Sequence, residues 1–311
     1  MKVSAVITTY NRKNDVLRCV ESVLASDFAD LETIVVDNAS RDGTAQALRE
    51  RFGSAITVAE PGANLNAAGG RNFGARAASG EFIVFIDSDN VVDRRLVSTL
   101  AGVLASRPDC GMAGCVMCYF SDKRKIWCAG ADIDMLSSRT RYRNAGRDIS
   151  SVTEAEPYEV GHLPNLFMVR KRDFNELGGF YEPYGIMFEE SDLAERIRRN
   201  GKKILVVPSA LDYHDQPILS GDSLRAWGLH TVSRAYVIAR NRNLFMRRNA
   251  GFAGKLVYFT LFLPLFTAYY VRIAVRHRAW HIARAYMRGA FGFGPPAEPA
   301  ARETENKTLQ S

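Results

Sequence analysis

The sequence predicts an α/β fold with a mostly parallel sheet that is covered by helices on both faces. Short apolar segments alternate with helix-length segments through the first hundred residues, which is typical of strand–helix–strand units. Three of the predicted strands end in polar clusters, namely Thr8-Thr9-Tyr10, Asp37-Asn38 and Asp87-Ser88-Asp89. Because ligands bind beyond the carboxyl ends of the strands in such sheets, we expect these clusters to converge on one crevice.

The elements of the first half follow from hydrophobic periodicity and from turn and cap residues. Apolar runs predict strands over 2–8, 31–36, 56–59 and 81–86. Helical spacing predicts helices over 14–26, 45–52, 66–79 and 91–106, the second of them after a turn at 40–44.

The second half is less regular and gives fewer elements. We predict strands over 110–119, 166–170 and 203–207, the last followed by the polar run 211–215, and a helix over 193–199. Turn residues between 121 and 158 favour short strands, with a hairpin through 126–135. The polar residues 298–311 are expected to be frayed.

Composition and cysteine usage indicate an intracellular globular protein. The 311 residues are 47% hydrophobic and 24% charged, which is ordinary for a globular chain. The first ten residues read as a buried strand and not as a signal peptide, because their apolar stretch is too short. Five cysteines without a signal sequence favour reduced thiols. Cys115 and Cys118 have the spacing of half a zinc site, but in a strand they face opposite sides and no second pair follows.

Charge is distributed unevenly along the chain. Residues 223–297 contain twelve Lys and Arg and no Asp or Glu, whereas residues 1–222 contain 27 basic and 31 acidic residues. The formal net charge of the whole chain is +7. An acidic body with a basic segment predicts an anionic partner for that segment.

Asp87 and Asp89 predict a metal site at the end of the strand over 81–86. Side chains of a strand alternate with a period of two, so both carboxylates are expected on one face, where their charges repel. A divalent cation would remove this repulsion, and hard oxygen ligands suit Mg²⁺ or Mn²⁺. The alternative is a solvated turn that holds two aspartates.

Six segments, taken together, resemble the family 2 glycosyltransferases of GT-A fold, and most of all their bacterial rhamnosyltransferase-like branch. The segments are 6–12 (VITTYNR), 34–40 (IVVDNAS), 64–74 (NLNAAGGRNFG), 85–89 (FIDSD), 177–180 (LGGF) and 188–193 (FEESDL). They occur in the family's order and cover about residues 1–215. The resemblance implies a GT-A, Rossmann-like sheet, a nucleotide-sugar donor, a divalent metal and inversion at the anomeric carbon.

The resemblance also implies roles for individual residues. Thr8 and Tyr10 would border the base and ribose of the nucleotide, and Asp37 would hydrogen-bond the base edge. Arg71 would face the base or the diphosphate, and Ser88 belongs to the same donor site.

The metal and the base are implied in the same way. Asp89 would bind the metal directly, Asp87 would reach the ribose or the metal, and His214 stands where many members place a second metal ligand. Glu190 matches the catalytic base of the family. Glu189 is the rival candidate, because the family commonly has Glu-Asp where this chain has Glu-Glu.

Several residues have a structural alternative beside the functional one. Asp37 could cap a helix, and the glycines of 69–74 could serve close packing, since they lack the dinucleotide-binding spacing. Asp192 is expected to be a helix cap or a supporting residue. The segment 178–182 reads Gly-Gly-Phe-Tyr-Glu where the family tends to have Gly-Gly-Phe-Asp-Glu. His162 and Trp127 receive no role.

The C-terminal segment predicts membrane association. Residues 256–271 carry no charge, contain Pro264 and are flanked by Lys255 and Arg272. Since a spanning helix needs about 20 such residues, we favour a helix or helical hairpin in the membrane interface. The basic residues of 255–288 would then contact anionic lipid. A buried core helix and a true transmembrane span are the alternatives. Nucleic acid is not expected, because the aromatic residues form one apolar block.

These observations predict three regions and one leading function. Residues 1–222 would form the catalytic domain, with a nucleotide-sugar half (1–110) and an acceptor and base half (111–222), followed by a membrane-associated segment (223–297) and a disordered tail (298–311). The leading hypothesis is an inverting, metal-dependent glycosyltransferase on the cytoplasmic face of the membrane. It would use a UDP-, dTDP- or GDP-sugar and a lipid-linked or glycan acceptor.

Two alternatives from other classes stay open. A nucleotidyltransferase on a similar fold would release pyrophosphate, although the glycine-rich N-terminal loop of such enzymes is missing here. The second alternative is a non-catalytic, membrane-bound sensor of nucleotide-sugars. The candidate metal site and the candidate base argue against it, because a sensor would not need both.

Overall fold

The computed structural model describes residues 1–219 and 222–295, so the expected tail at 298–311 lies outside the described residues. The chain divides into two compact units. The sheet unit comprises Met1–Asp134 and Arg139–Ile218, and the helical unit comprises Met135–Ser138 and the chain from Leu219 onward.

Twelve strands are present in the described residues. They are β1 (Val3–Thr9), β2 (Leu31–Asp37), β3 (Thr57–Ala59), β4 (Phe82–Asp87), β5 (Asn90–Val92), β6 (Cys110–Tyr119), β7 (Asp122–Cys128), β8 (Ala131–Ile133), β9 (Thr140–Tyr142), β10 (Tyr158–Glu159), β11 (Phe167–Arg170) and β12 (Lys203–His214). Ten of them form one sheet, in the order β10-β12-β6-β11-β4-β1-β2-β3, with β5 paired to β12 and β7 paired to β6. Strands β3, β2, β1 and β4 run parallel to one another, and β6 runs parallel to β12. The remaining pairings are antiparallel: β11 with β4 and β6, β7 with β6, and β5 and β10 with β12. The mostly parallel α/β fold is thus confirmed.

The helices of the sheet unit flank this sheet. They are α1 (Lys13–Leu24), α2 (Thr44–Phe52), α3 (Asn66–Ala77), α4 (Leu96–Ser106), α5 (Lys171–Glu176) and α6 (Glu189–Arg199). Two hydrophobic clusters form the core. One contains Val20 and Leu100 of α1 and α4, and the other contains Ala75 and Leu193 of α3 and α6.

Four predicted boundaries were wrong, each for a local reason. The strand over 203–207 continues to His214, because after a bulge its polar end pairs with the end of β6. The helix over 91–106 begins at Leu96, because Asn90–Val92 pairs antiparallel with the end of β12. The hairpin through 126–135 is instead formed by β8 and β9, while β7 pairs with β6. The helix over 193–199 begins at Glu189, which places acidic residues in its first turn, where the helix dipole favours them.

The glycines of α3 allow this helix to approach the sheet closely. A Cβ at Gly70 would lie 2.7 Å from the side-chain nitrogen of Asn38, and one at Gly74 would lie 2.4 Å from Val6. The packing interpretation of this glycine-rich segment is therefore correct. The predicted strand at Cys115–Cys118 is also confirmed, and all five cysteines are free and buried.

The helical unit contains α7 (Val232–Asn249), α8 (Phe252–Val257), α9 (Leu263–Arg276) and α10 (Trp280–Ala290). A π-helical turn over Tyr258–Phe262 joins α8 to α9 directly before Pro264, whose missing N–H interrupts regular hydrogen bonding. Among the described residues, the continuous segment Phe252–Arg276 is long and apolar enough to cross a membrane by length and composition. Only 17% of its most apolar stretch is buried, which argues against a core helix.

Candidate functional site

The carboxyl ends of β1, β2 and β4 bring the three polar clusters together. Thr8 lies beside Asp87 in the register of β1 and β4, and Thr9 lies beside Asp37 in the register of β1 and β2. Thr8 is buried, whereas Tyr10 is exposed just beyond the strand. The expected convergence on one edge of the sheet is confirmed.

Asp37 shapes the loop after β2 and does not cap α2. It is buried, and its Oδ1 accepts the backbone N–H of Ser40 at 3.0 Å, whereas the N-cap of α2 is Gly43. The neighbouring Asn38 donates through its side chain to the carbonyl of Asn66 at 3.2 Å, which joins this loop to the start of α3. The helix-cap alternative for Asp37 is therefore wrong.

Arg71 of α3 is buried at the centre of three carboxylates. Its guanidinium lies 2.6 Å from Asp87, 3.0 Å from Glu189 and 2.8 Å from Glu190. Burial disfavours its charge, but the three carboxylates raise the pKa of Arg71. The guanidinium plane also lies 5.5 Å from the centre of the Phe180 ring. Arg71 thus connects the end of β4 to the start of α6.

The two glutamates of α6 differ in exposure and in hydrogen bonding. The side chain of Glu189 is 4% exposed and its buried Oε2 has no hydrogen-bond partner, while the side chain of Glu190 is 16% exposed. Burial, reinforced by the charge of Glu190, raises the pKa of Glu189 to about 8. Burial also raises the pKa of Glu190, opposed by Arg71 and by the backbone N–H of Asn165. Glu190 is therefore the more accessible of the two carboxylates.

Asp89 and His214 face each other beside the arginine cluster. Asp89 Oδ1 lies 3.4 Å from His214 Nε2, and both side chains are buried. Asp89 Oδ2 accepts from Arg12 and from Gln216, each at 2.7 Å. Although burial works against its charge, these partners lower the pKa of Asp89 to about 2, with His214 contributing most. Asp89 is therefore ionised at neutral pH.

The predicted set of three metal ligands is only partly assembled. Strand β4 ends at Asp87, so the alternation that placed Asp87 and Asp89 on one face does not extend to Asp89, and Asp87 contacts Arg71 instead. In the described part of the chain, no group of three or more His, Cys, Asp or Glu side chains is arranged to hold a metal. A carboxylate oxygen opposite an imidazole nitrogen nevertheless suits Mn²⁺ better than Mg²⁺, because Mg²⁺ prefers oxygen ligands.

Four other residues singled out in the sequence are wholly or partly buried. Ser88 is buried in the turn between Asp87 and Asp89. Asp192 is buried inside α6, where it accepts from Arg196 at 2.9 Å, so it supports the helix and does not cap it. His162 is buried, and burial lowers its pKa to about 4. The ring of Trp127 meets the His214 ring edge-on, with 4.6 Å between centroids.

Sequence reasoning missed four features of the site. Arg12, Gln216 and Asn165 contact the predicted residues. Arg12 lies in the resembling segment 6–12 but received no role, and Gln216 and Asn165 do not stand out by spacing or residue type. The fourth is the backbone before α6, where Met187 and Phe188 both have positive φ, at 71° and 69°. Conformations of this kind concentrate at functional sites.

With this geometry described, comparison with known proteins identifies the family. The family model described as glycosyl transferase family 2 matches residues 4–175, which is more than half of the chain. The chain belongs to glycosyl transferase family 2. The matched part of this family 2 chain contains the ends of β1, β2 and β4, whereas α6 and His214 lie beyond it.

Two glycosyltransferases are similar to this chain over short stretches. An uncharacterized glycosyltransferase of Nostoc sp. is 34% identical over 93 residues, which is 29% of each chain. The Escherichia coli enzyme named UDP-Glc:alpha-D-GlcNAc-diphosphoundecaprenol beta-1,3-glucosyltransferase WfaP is 34% identical over 88 residues, 28% of this chain and 35% of that enzyme. The matches thus span about a third of these relatives.

Solved structures of other glycosyltransferases share the fold over nearly the whole chain. S. aureus TarS 1-349 in complex with UDP-GlcNAc has a TM-score of 0.56 at 16% identity and covers 94% of this chain and 93% of its own. The mannosyltransferase PcManGT of Pyrobaculum calidifontis, in complex with GDP-Man and Mn2+, has a TM-score of 0.58 at 19% identity, with 94% and 86% covered. At this identity the likeness establishes the GT-A fold alone.

Proposed function

We propose that this protein is an inverting, metal-dependent glycosyltransferase that moves a sugar from a nucleoside diphosphate to an acceptor hydroxyl. One observation carries the proposal: the candidate base and the candidate metal pair lie within reach of a single residue. Asn165 donates its backbone N–H to Glu190 at 2.9 Å, and its side-chain nitrogen lies 3.1 Å from His214 Nε2. A base and a site for a leaving diphosphate must be neighbours in glycosyl transfer.

The donor would bind along the carboxyl edge of β1, β2 and β4. Thr8, Tyr10 and Asp37 would contact the base and ribose, and Ser88 and Asp87 would lie beside the ribose or phosphates. Arg71 is buried among carboxylates, which supports a role in holding Asp87 and Glu190 in place more than direct contact with the base. Because the sequence resembles the rhamnosyltransferase-like branch, dTDP is a candidate nucleotide together with UDP and GDP.

Glu190 would act as general base. It takes the proton of the acceptor hydroxyl while that oxygen attacks the anomeric carbon, and the bond from that carbon to the nucleoside diphosphate breaks on the opposite face. No covalent intermediate forms, so the configuration inverts. Asp89 and His214 would hold Mn²⁺ or Mg²⁺, which would neutralise the charge of the diphosphate. Arg12 and Gln216 keep the Asp89 carboxylate in place.

The acceptor is proposed to be lipid-linked, with the enzyme on the cytoplasmic face of the membrane. The printed name of WfaP specifies a diphosphoundecaprenol-linked acceptor for that relative. In this chain, the largely exposed segment Phe252–Arg276 supports membrane association. Apolar side chains such as Phe252, Leu256 and Leu265 are exposed along it, and exposed Arg272 and Arg284 are available to anionic lipid.

Anionic vesicles are therefore expected to bind the protein more tightly than neutral vesicles. Each basic residue near the surface adds roughly 1 kcal/mol, so the double variant Arg272→Gln/Arg284→Gln should bind anionic vesicles about 25-fold more weakly. Vesicle flotation measures this. Arg41→Gln/Arg147→Gln, at two exposed arginines of the sheet unit, is the charge-matched control and should bind normally. Equal binding to neutral and anionic vesicles would contradict the proposed contact with anionic lipid.

Nucleotide binding tests the donor and metal site. A nucleoside diphosphate or nucleotide-sugar at 100 times its Kd should stabilise the protein by about 2.7 kcal/mol, with a rise in Tm when Mn²⁺ is present and little rise in EDTA. The Asp89→Asn variant should lose the metal-dependent rise. Tm measurements with UDP, dTDP, GDP and their sugars would identify the nucleotide. An unchanged metal-dependent rise in Tm for Asp89→Asn would show that Asp89 does not bind the metal.

A further inference from the structure

Asn165 occupies a strained turn directly before β11. Its φ is +72°, and the N–H of Leu166 donates to the carbonyl of Pro164 at 2.8 Å, which closes a three-residue turn around Asn165. A turn of this size with positive φ at its centre is the rare and strained γ-turn. The residue is only 6% exposed, so packing holds this conformation in place.

Three hydrogen-bonding groups of Asn165 engage three different segments. Its backbone N–H donates to Glu190 Oε1 at 2.9 Å, at the start of α6. Its side-chain nitrogen lies 3.1 Å from His214 Nε2, at the end of β12. Its Oδ1 accepts from the side chain of Asn90 at 2.5 Å, and Asn90 directly follows Asp89. Asn165 therefore joins the start of α6 to both sides of the Asp89–His214 pair.

The direction of the backbone N–H depends on the strained turn. If residue 165 relaxed to negative φ, the peptide plane would rotate and its N–H would no longer point at Glu190. The contacts of the Asn165 side chain with Asn90 and His214 also favour this conformation of the turn. The hydrogen bond to Glu190 and the two contacts of the side chain are thus parts of one arrangement.

We infer that Asn165 is a positioning residue for the transfer reaction, which sets the place of Glu190 relative to the Asp89–His214 pair through its strained backbone. This inference rests on the proposed function, since it takes Glu190 as the base. The residue would act mainly on the turnover step, because Glu190 takes part in proton transfer and not in holding the donor.

Paired substitutions separate the backbone from the side chain. Asn165→Gly loses the amide but adopts positive φ freely, and Asn165→Ala loses the amide and disfavours positive φ. We expect Asn165→Ala to lower kcat by about 10- to 100-fold with little change in the donor KM, since a displacement near 1 Å can cost about 100-fold. Asn165→Gly should recover most of that loss. Asn144→Ala, at another residue with positive φ (54°), is the control and should keep normal kcat.

Two results would overturn the inference. If the wild-type enzyme transfers sugar and Asn165→Ala keeps its kcat, or Asn165→Gly is no better than Asn165→Ala, the backbone does not position the base. Crystal structures of both variants give a readout that is independent of activity. Glu190 Oε1 should stay within hydrogen-bond distance of the N–H of residue 165 in Asn165→Gly and move away in Asn165→Ala. An unmoved Glu190 in Asn165→Ala contradicts the inference, whereas a wild-type protein without transfer activity contradicts the proposed function.

Discussion

Glu190→Gln is expected to lower kcat by about 10²- to 10⁴-fold, the usual contribution of a general base, with little change in donor binding. Glutamine has the shape of glutamate and can still accept the backbone N–H of Asn165, so the local structure should persist. It cannot take the proton of the acceptor hydroxyl. Steady-state transfer rates and the nucleotide-induced rise in Tm, measured on the same preparation, separate chemistry from binding.

Two further variants sharpen this prediction. Glu190→Asp restores a carboxylate and should recover a large part of the rate, while Glu189→Gln should retain more activity than Glu190→Gln. A normal rate in Glu190→Gln would exclude Glu190 as the base, and a complete loss confined to Glu189→Gln would assign the base to Glu189.

The pH dependence of the rate should follow the same carboxylate. Burial raises the pKa of Glu190, and only its deprotonated form can act as base. Activity should therefore fall on acidification at a pH above 4.5, the ordinary value for glutamate. The residual rate of Glu190→Gln should not show this fall in activity at acidic pH.

Arg71→Met is expected to lower the free energy of unfolding by about 3–5 kcal/mol, the usual cost of breaking a buried ion pair. The guanidinium lies within 3.0 Å of Asp87, Glu189 and Glu190, and its removal leaves three carboxylates with no cation among them. Chemical denaturation measures the loss. Arg71 lowers the pKa of Glu189 and of Glu190, so both pKa values would rise in the variant, and the loss of stability relative to wild type should be smaller at pH 5 than at pH 8.

Arg51→Met is the matched control for this effect. Arg51 forms an ion pair with Glu21 at the surface of the same unit, with the two side chains 52% and 44% exposed. Such exposed pairs contribute about 0–1 kcal/mol. Adding Glu190→Gln to Arg71→Met should restore part of the stability at pH 8, because it removes one buried negative charge. Similar losses for Arg51→Met and Arg71→Met would show that the three-carboxylate cluster does not depend on Arg71.

The strand ends were predictable from the sequence because they are local. Each of β1, β2 and β4 is an apolar run that stops at a polar cluster, and parallel strands place their ends at one edge. The sequence also placed Asp89 and His214 among the site residues through a family resemblance, and the structure brings them to 3.4 Å.

The remaining contacts were not predictable because they join distant segments. Arg71 meets Glu189 across 118 residues and Arg12 meets Asp89 across 77, and no periodicity encodes such pairings. Asn165 is a single asparagine after a proline, and its positive φ follows from tertiary packing. The turn at Asp89 was mistaken for strand because the end of β4 depends on Asn90 pairing with β12.

The measurement that tests the central claim most directly is the identity of the phosphorus-containing product. Wild-type protein with Mn²⁺, a panel of UDP-, dTDP- and GDP-sugars and a bacterial lipid extract would be followed by ³¹P NMR, with Glu190→Gln in parallel. We predict release of a nucleoside diphosphate from one class of donor, in step with sugar transfer, and a loss of this release in Glu190→Gln. Release of pyrophosphate, or no turnover of any donor by folded protein, would contradict the assignment as an inverting glycosyltransferase.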